Sequence, residues 1–283
     1  MSDGPVHAAV EAEEVGYMRF GGEFLSRYLE VTPIPLALER AMECDLYSRT
    51  PFARPLLDIG CGEGLFTQIL FESKVDTGID PNQRELDRAR EIGGYLELIC
   101  CGGEAIPKPD AAYRTVLINS TLEHIPEGPG PVLREAHRLL KPGGLCFVTV
   151  PNMRFLEYSL GRILLDRMGL TGLLAVWSRF FRKFWNLYNV YPVEGWNHQF
   201  TQAGFEIQEQ GLYECKDIYL LKDAAMFPAL PGRIFKLLTN RWILTPRFLR
   251  KLFMRPVEKS LGKHIPTRFC DDGALIYAVL RKG

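Results

Sequence analysis

The residues best suited to chemistry cluster early in the chain. Leu56-Leu57-Asp58-Ile59-Gly60-Cys61-Gly62-Glu63-Gly64 ends an apolar run on an acid and follows it with glycines at 60, 62 and 64. Glycine permits positive φ and close approach of a ligand to the backbone. A helix beginning just after such a loop turns its free amides toward that ligand. About twenty residues on, Gly78-Ile79-Asp80-Pro81 supplies a second acid, suited to bidentate hydrogen bonding with two ribose hydroxyls. Together these features point to a nucleoside-containing cofactor. A dinucleotide fingerprint would need glycine at 65, where leucine stands, so the glycine spacing argues against NAD although Asp80 alone does not. Further on, Glu123 and His124 form a candidate acid–base pair in which the imidazole could deprotonate a hydroxyl.

These residues need a scaffold, and the pattern predicts one. Strands are expected at Pro55–Ile59, Val75–Ile79, Tyr95–Cys100, Tyr113–Asn119 and Leu145–Val150. Helices are expected at Gly64–Phe71, Gln83–Glu91 and Pro131–Leu140, the last ended by Lys141-Pro142-Gly143-Gly144. Such alternation with right-handed crossovers makes a doubly wound parallel sheet covered on both faces. Two helices, around Phe24–Glu30 and Pro35–Tyr47, precede it. A helix near Trp196–Ala203 and strands at Phe205–Tyr213 and Ala274–Leu280 complete it. The chain thus divides into a tail and N-terminal cap at 1–50, a core at 51–152, an aromatic insertion at 153–195, a core helix and strand at 196–215, a basic-aromatic insertion at 216–270 and a last strand at 271–283.

Residues 55–152 resemble class I S-adenosylmethionine-dependent methyltransferases, the type-11 group in particular. The resemblance rests on LLDIGCGEG, the GID of the second strand, GGEAIP at 102–107, NSTLEHI at 119–125, and RLLKPGG at 138–144 with Val150-Pro151-Asn152 beyond it. It implies an α/β fold with a seven-stranded Rossmann-like sheet, capped by the N-terminal helices and the two insertions, and S-adenosylmethionine as cofactor. By this resemblance Gly60, Cys61, Gly62 and Gly64 pass under the methionine part, and Asp58 orients amides, water or the amino group. Asp80 holds the ribose, with Ile79 and Pro81 near the adenine, and Gly103 and Glu104 edge the base. Asn119 presents backbone to the amino group, and Leu122 and His124 start a helix lining the transfer cavity. Gly102 stands where the family usually has an adenine-contacting Asp, and Tyr113-Arg114 where Phe-Asp is usual. Methyl transfer is an in-line displacement in which orientation can lower the barrier by ~7–11 kcal/mol, so no catalytic triad is required.

Composition narrows the rest. A chain of 283 residues, 47% hydrophobic and 24% charged, is neither disordered nor a small disulfide scaffold. No apolar run approaches the roughly 18–20 residues of a spanning helix, and the acidic N-terminus reads as having no secretory signal. The seven cysteines show neither CxxC nor zinc spacing, so a reducing cytoplasm and no metal are expected. Net charge is zero, but residues 1–150 carry −9 and residues 151–283 carry +9, with ten cations and one acid in 225–268.

Trp177, Phe180, Phe181, Phe184, Trp185 and Tyr188 fall on one helical face. Three readings of the insertions stay open. They form a cap packed on the core, or segment 225–268 rests on the inner face of an anionic membrane while the cap receives a lipid-linked acceptor, or they bind nucleic acid, which no motif supports. The expected acceptor is hydrophobic or lipid-linked and methylated on oxygen. A soluble small molecule, or cofactor binding without catalysis, are the alternatives. Tyr17, Arg19 and Arg40 are expected to cover the cofactor, and His198 to pack or face solvent.

Overall fold

A strand covered on both faces has every side chain buried, and Leu56–Ile59 (β1) is buried at all four positions. In a computed structural model, which describes residues 16–226 and 247–283, β1 lies inside a seven-stranded sheet, between β2 and β4. The other strands are β2 (Val75–Asp80), β3 (Tyr95–Cys100), β4 (Tyr113–Asn119), β5 (Leu140–Pro151), β6 (Phe205–Tyr213) and β7 (Leu275–Lys282), and the order is β3-β2-β1-β4-β5-β7-β6. The first five pair in parallel; β7 runs antiparallel to both β5 and β6. Two cores result from the alternation of side chains. Leu56, Leu117 and Phe147 point to one face, and Leu57, Val116, Ile118 and Val148 to the other.

The first face is covered by α1 (Phe24–Leu29), α2 (Ile34–Tyr47), α3 (Leu65–Leu70) and α4 (Gln83–Ile92). The second is covered by α5 (Gly130–Leu139) and α9 (Val193–Gln202), whose Trp196 and Phe200 are fully buried. The aromatic insertion folds as α6 (Met153–Glu157), α7 (Leu160–Arg167), a short 3-10 turn at Thr171–Leu173, and α8 (Leu174–Trp185). A helix over 216–226 (α10) and α11 (Arg247–Leu261) belong to the second insertion.

Three expectations are corrected. Strand β5 starts at Leu140, because the sheet absorbs Lys141–Gly144 as an irregularity between the pairs Tyr113–Leu140 and Thr115–Leu145. Leu122–His124 does not open a helix: it is a single 3-10 turn, and α5 begins at Gly130. The cysteines are not all free thiols: Cys215, just after β6, is disulfide-bonded to Cys270, just before β7. The antiparallel β6–β7 pair brings the two ends of a 55-residue separation together, which no local spacing could announce. Cys44, Cys61 and Cys146 are buried thiols, as small apolar side chains should be. No helix among the described residues is long and apolar enough to cross a membrane.

Candidate active site

Strand order reverses between β1 and β4, and the loops leaving their carboxyl ends part to form a crevice. A cleft of about 240 Å³ lies there. Asp58, Gly60, Cys61, Gly62 and Gly64 line one side, Asn119 and Ser120 another, and Tyr28, Thr32, Leu36 and Arg40 close it from the cap. The backbone needs glycine at two places. Gly60 has φ +77°, and a Cβ there would lie 2.4 Å from Thr121 Cγ2. Gly62 has φ +52°, and a Cβ there would meet nothing within 4 Å, so the loop is open to a ligand on that side.

Asp80 fixes this loop. Its Oδ2 accepts from Gly62 N at 3.0 Å and its Oδ1 from Asn82 N at 2.8 Å, leaving lone pairs on both oxygens. Asp58 is buried below the loop and accepts from the Tyr95 hydroxyl at 2.6 Å. Burial pushes its carboxyl up to about 7; the Tyr95 bond opposes this and the nearby Asp80 adds to it. A cationic ligand in the cleft would favour the ionised form.

The cap is tied to the cleft by Glu43, a fully buried residue of α2 that sequence reading missed. Its Oε2 accepts from Arg40 Nη1 at 2.6 Å and from Asn119 Nδ2 at 3.0 Å. Its Oε1 accepts from Ser120 Oγ and Tyr213 OH, each at 3.1 Å. Arg40 Nη1 also donates to Ser120 Oγ at 2.8 Å, which places its guanidinium on the cleft wall. Behind it Lys222 of α10, buried, pairs with Glu39 at 2.5 Å and Glu214 at 2.6 Å and lies over the rings of Phe155 and Tyr219. Burial alone would lower the Lys222 pKa, and the two carboxylates hold it above its ordinary value. The available signal was a run of charges, Glu39, Arg40 and Glu43, inside the apolar stripe of α2.

The remaining candidates are placed as follows. Ile79, Asp80, Pro81, Gly103 and Glu104 lie outside the cleft walls, and so do Leu122, Glu123 and His124, which were expected on the transfer cavity; Pro81, Glu104 and His124 are exposed. Leu122 is fully buried, its carbonyl accepting from Asn189 Nδ2 at 2.9 Å. Glu123 is buried, and no hydrogen-bond partner reaches its Oε2. Burial pushes that carboxyl up to about 7, opposed chiefly by His124, whose Nε2 is 3.9 Å from Oε1. His124 Nδ1 is 2.9 Å from the carbonyl of Asn186. A carbonyl only accepts, so the neutral ring carries its proton on Nδ1 and its lone pair on Nε2. Tyr17 and Arg19 precede α1 and do not line the cleft.

The strand order, the glycine loop at the switch point and the acid ending β2 are those of a Rossmann-like methyltransferase fold. Residues 57–148 match the family described as "Methyltransferase domain". The ubiquinone biosynthesis O-methyltransferase of Vibrio atlanticus is 35% identical over 114 residues, covering 38% of this chain and 47% of that protein. A methyltransferase of Mycobacterium leprae is 29% identical over 140 residues, covering 44% and 51%. The chain therefore spans about half the length of the curated relatives it matches. A crystal structure of a SAM-dependent methyltransferase from Thermotoga maritima shares the fold with a TM-score of 0.50 at 20% identity, covering 92% of each chain.

Proposed function

We propose that the chain methylates an oxygen of an apolar, lipid-linked acceptor, working in peripheral contact with a membrane. The observation that carries the donor side is the convergence of the Gly60–Gly62 loop, Asn119 and Arg40 on one cleft. S-adenosylmethionine, when bound, supplies a methyl on a sulfonium whose C–S bond breaks as the C–O bond forms, leaving S-adenosylhomocysteine. Gly60, Cys61, Gly62 and Gly64 would cradle the amino-acid part, with the Asn119 carbonyl and Asp58 favouring its ammonium. Arg40, on the wall beside them, would take its carboxylate. Asp80 would hold the ribose hydroxyls, Ile79 and Pro81 would flank the adenine, and Gly103 and Glu104 would edge it. His124 Nε2 takes the acceptor's hydroxyl proton, and buried Glu123 steadies the imidazolium that results.

Two observations support the acceptor class. The Vibrio relative is named for O-methylation in ubiquinone biosynthesis. Also, a second cleft of about 290 Å³ beside α2 is walled mostly by apolar residues such as Ile34, Leu38, Leu221 and Leu261. The basic segment 225–268 falls in good part outside the described residues. Within it, Arg250 donates to the carbonyls of Leu29 and Thr32 and so serves to hold α11 on the cap.

Calorimetric titration with S-adenosylmethionine, S-adenosylhomocysteine and NAD tests the donor side. Micromolar binding of the first two and none of NAD is expected; the reverse overturns the cofactor assignment. Labelled methyl should then enter the lipid fraction of an extract in base-stable form. Label confined to water-soluble products would overturn the acceptor class.

A further inference from the structure

The expected aromatic face of α8 is split: Phe181, Trp177 and Trp185 turn inward, whereas Phe180 and Tyr188 are 55% and 53% exposed. Phe181 is buried, Trp185 packs edge-on to Phe155, and Trp177 Nε1 donates to Ser159 Oγ at 2.9 Å. What the fold leaves outside is chiefly the tip of the α7–α8 hairpin. Helix α7 has no buried residue, and α8 buries only Phe181. Leu164, Met168, Leu173, Val176 and Phe180 are 48–61% exposed. The eleven residues 168–178, which include the whole turn, carry no charge. Arg167 and Arg179 bound this run, and Arg162, Arg182 and Lys183 lie behind it with one acid, Asp166. None of the five cations makes an ion pair among the described residues.

We propose that this hairpin is a docking tip for an anionic lipid membrane. An uncharged apolar tip rimmed by unpaired cations matches the layering of a membrane interface, where apolar side chains enter the acyl boundary and basic groups meet the headgroups. A second copy of the chain fits worse, since two such rims would repel each other, whereas anionic lipid neutralises them. At Gly161 a Cβ would lie 2.1 Å from the Trp177 ring, so glycine lets α7 and α8 close on each other.

The hairpin's root is fastened to the catalytic turn. Besides the Asn186–His124 contact, Tyr188 N and Asn189 N donate to the Glu123 carbonyl, and Asn189 Nδ2 donates to the carbonyls of Leu122 and Ile125. Docking through the tip would thus hold the His124 turn about one length of α8, roughly 18 Å, from the tip. This deepens the lipid-linked reading above and assigns membrane contact to 160–185 rather than to 225–268.

The test is flotation of the full chain with vesicles of phosphatidylcholine and phosphatidylglycerol mixed two to one, beside vesicles of phosphatidylcholine alone. The wild type should rise with the anionic vesicles at low salt and be released at high salt. The variant Leu170→Asp, Leu173→Asp, Val176→Asp should partition at least about tenfold less while keeping its affinity for S-adenosylhomocysteine. If that variant fails to fold, Arg167→Glu with Arg179→Glu should give the same loss. A wild type that stays at the bottom with anionic vesicles, or folded variants that float like it, overturn the proposal. A solution dimer dissolved by the apolar substitutions also overturns it, by giving the face to a second copy. Flotation needs no turnover, so a chain that floats yet methylates no lipid-linked acceptor contradicts only the function proposed above.

Discussion

Glu43 Oε2 accepts a 3.0 Å hydrogen bond from Asn119 Nδ2, joining the second cap helix to the last residue of β4. The same carboxylate neutralises Arg40, so one buried group orders both the strand end and the cation on the cleft wall. Breaking a buried ion pair from one side costs up to about 3–5 kcal/mol, and less here, because Arg40 is partly exposed and keeps Glu39 at 3.7 Å. Glu43→Gln should lose stability by somewhat less than that and weaken S-adenosylhomocysteine binding. A melting curve and a titration check both; unchanged values would mean that Glu43 orders neither the strand end nor Arg40.

Arg40 can be separated from general loosening of the cap by choice of ligand. Arg40→Met should weaken S-adenosylhomocysteine by about 10- to 100-fold, the loss of a charge-assisted hydrogen bond of ~1.5–3 kcal/mol. Methylthioadenosine has no carboxylate, and its affinity should hardly move. Equal losses for both ligands would refute a carboxylate contact.

Asp80→Ala should weaken both ligands alike, because the ribose is common to them and because Gly62 N loses its acceptor. Titration of the variant reads this directly. Wild-type affinity would contradict the ribose assignment.

Glu123 should cost stability at neutral pH. Its folded pKa of about 7 is above that of an unfolded glutamate near ~4.3, so the folded chain binds the proton more tightly. The stabilising effect of that proton is full below about pH 4 and is lost as pH rises through 7. Glu123→Gln should therefore raise the melting temperature at pH 8 relative to the wild type, and raise it less at pH 5. The same variant should transfer methyl more slowly, since the imidazolium loses its carboxylate. Thermal scans at both pH values, beside an activity assay, check the pair of effects.

His124→Ala should lower kcat by about 10²- to 10⁴-fold, the usual range for a lost general base. S-adenosylhomocysteine affinity should stay close to that of the wild type. Full activity would make His124 only a tie to the Asn186 carbonyl.

Much of the fold and the glycine-loop wall of the cleft was legible in the chain because both rest on local rules. Alternating apolar runs and helical periods place β1 to β4 within a residue or two, and the glycines at 60, 62 and 64 mark a loop whose backbone conformation few other residues adopt. Tertiary structure decided what depends on distant partners. The Glu43 hub joins α2, β4 and β6, and the Cys215–Cys270 bond closes across an insertion. Likewise, an aromatic stripe in the sequence cannot say which side of a helix finds a core. Burial of Phe181 against Phe155 settled that, and left the uncharged tip between Arg167 and Arg179 facing out.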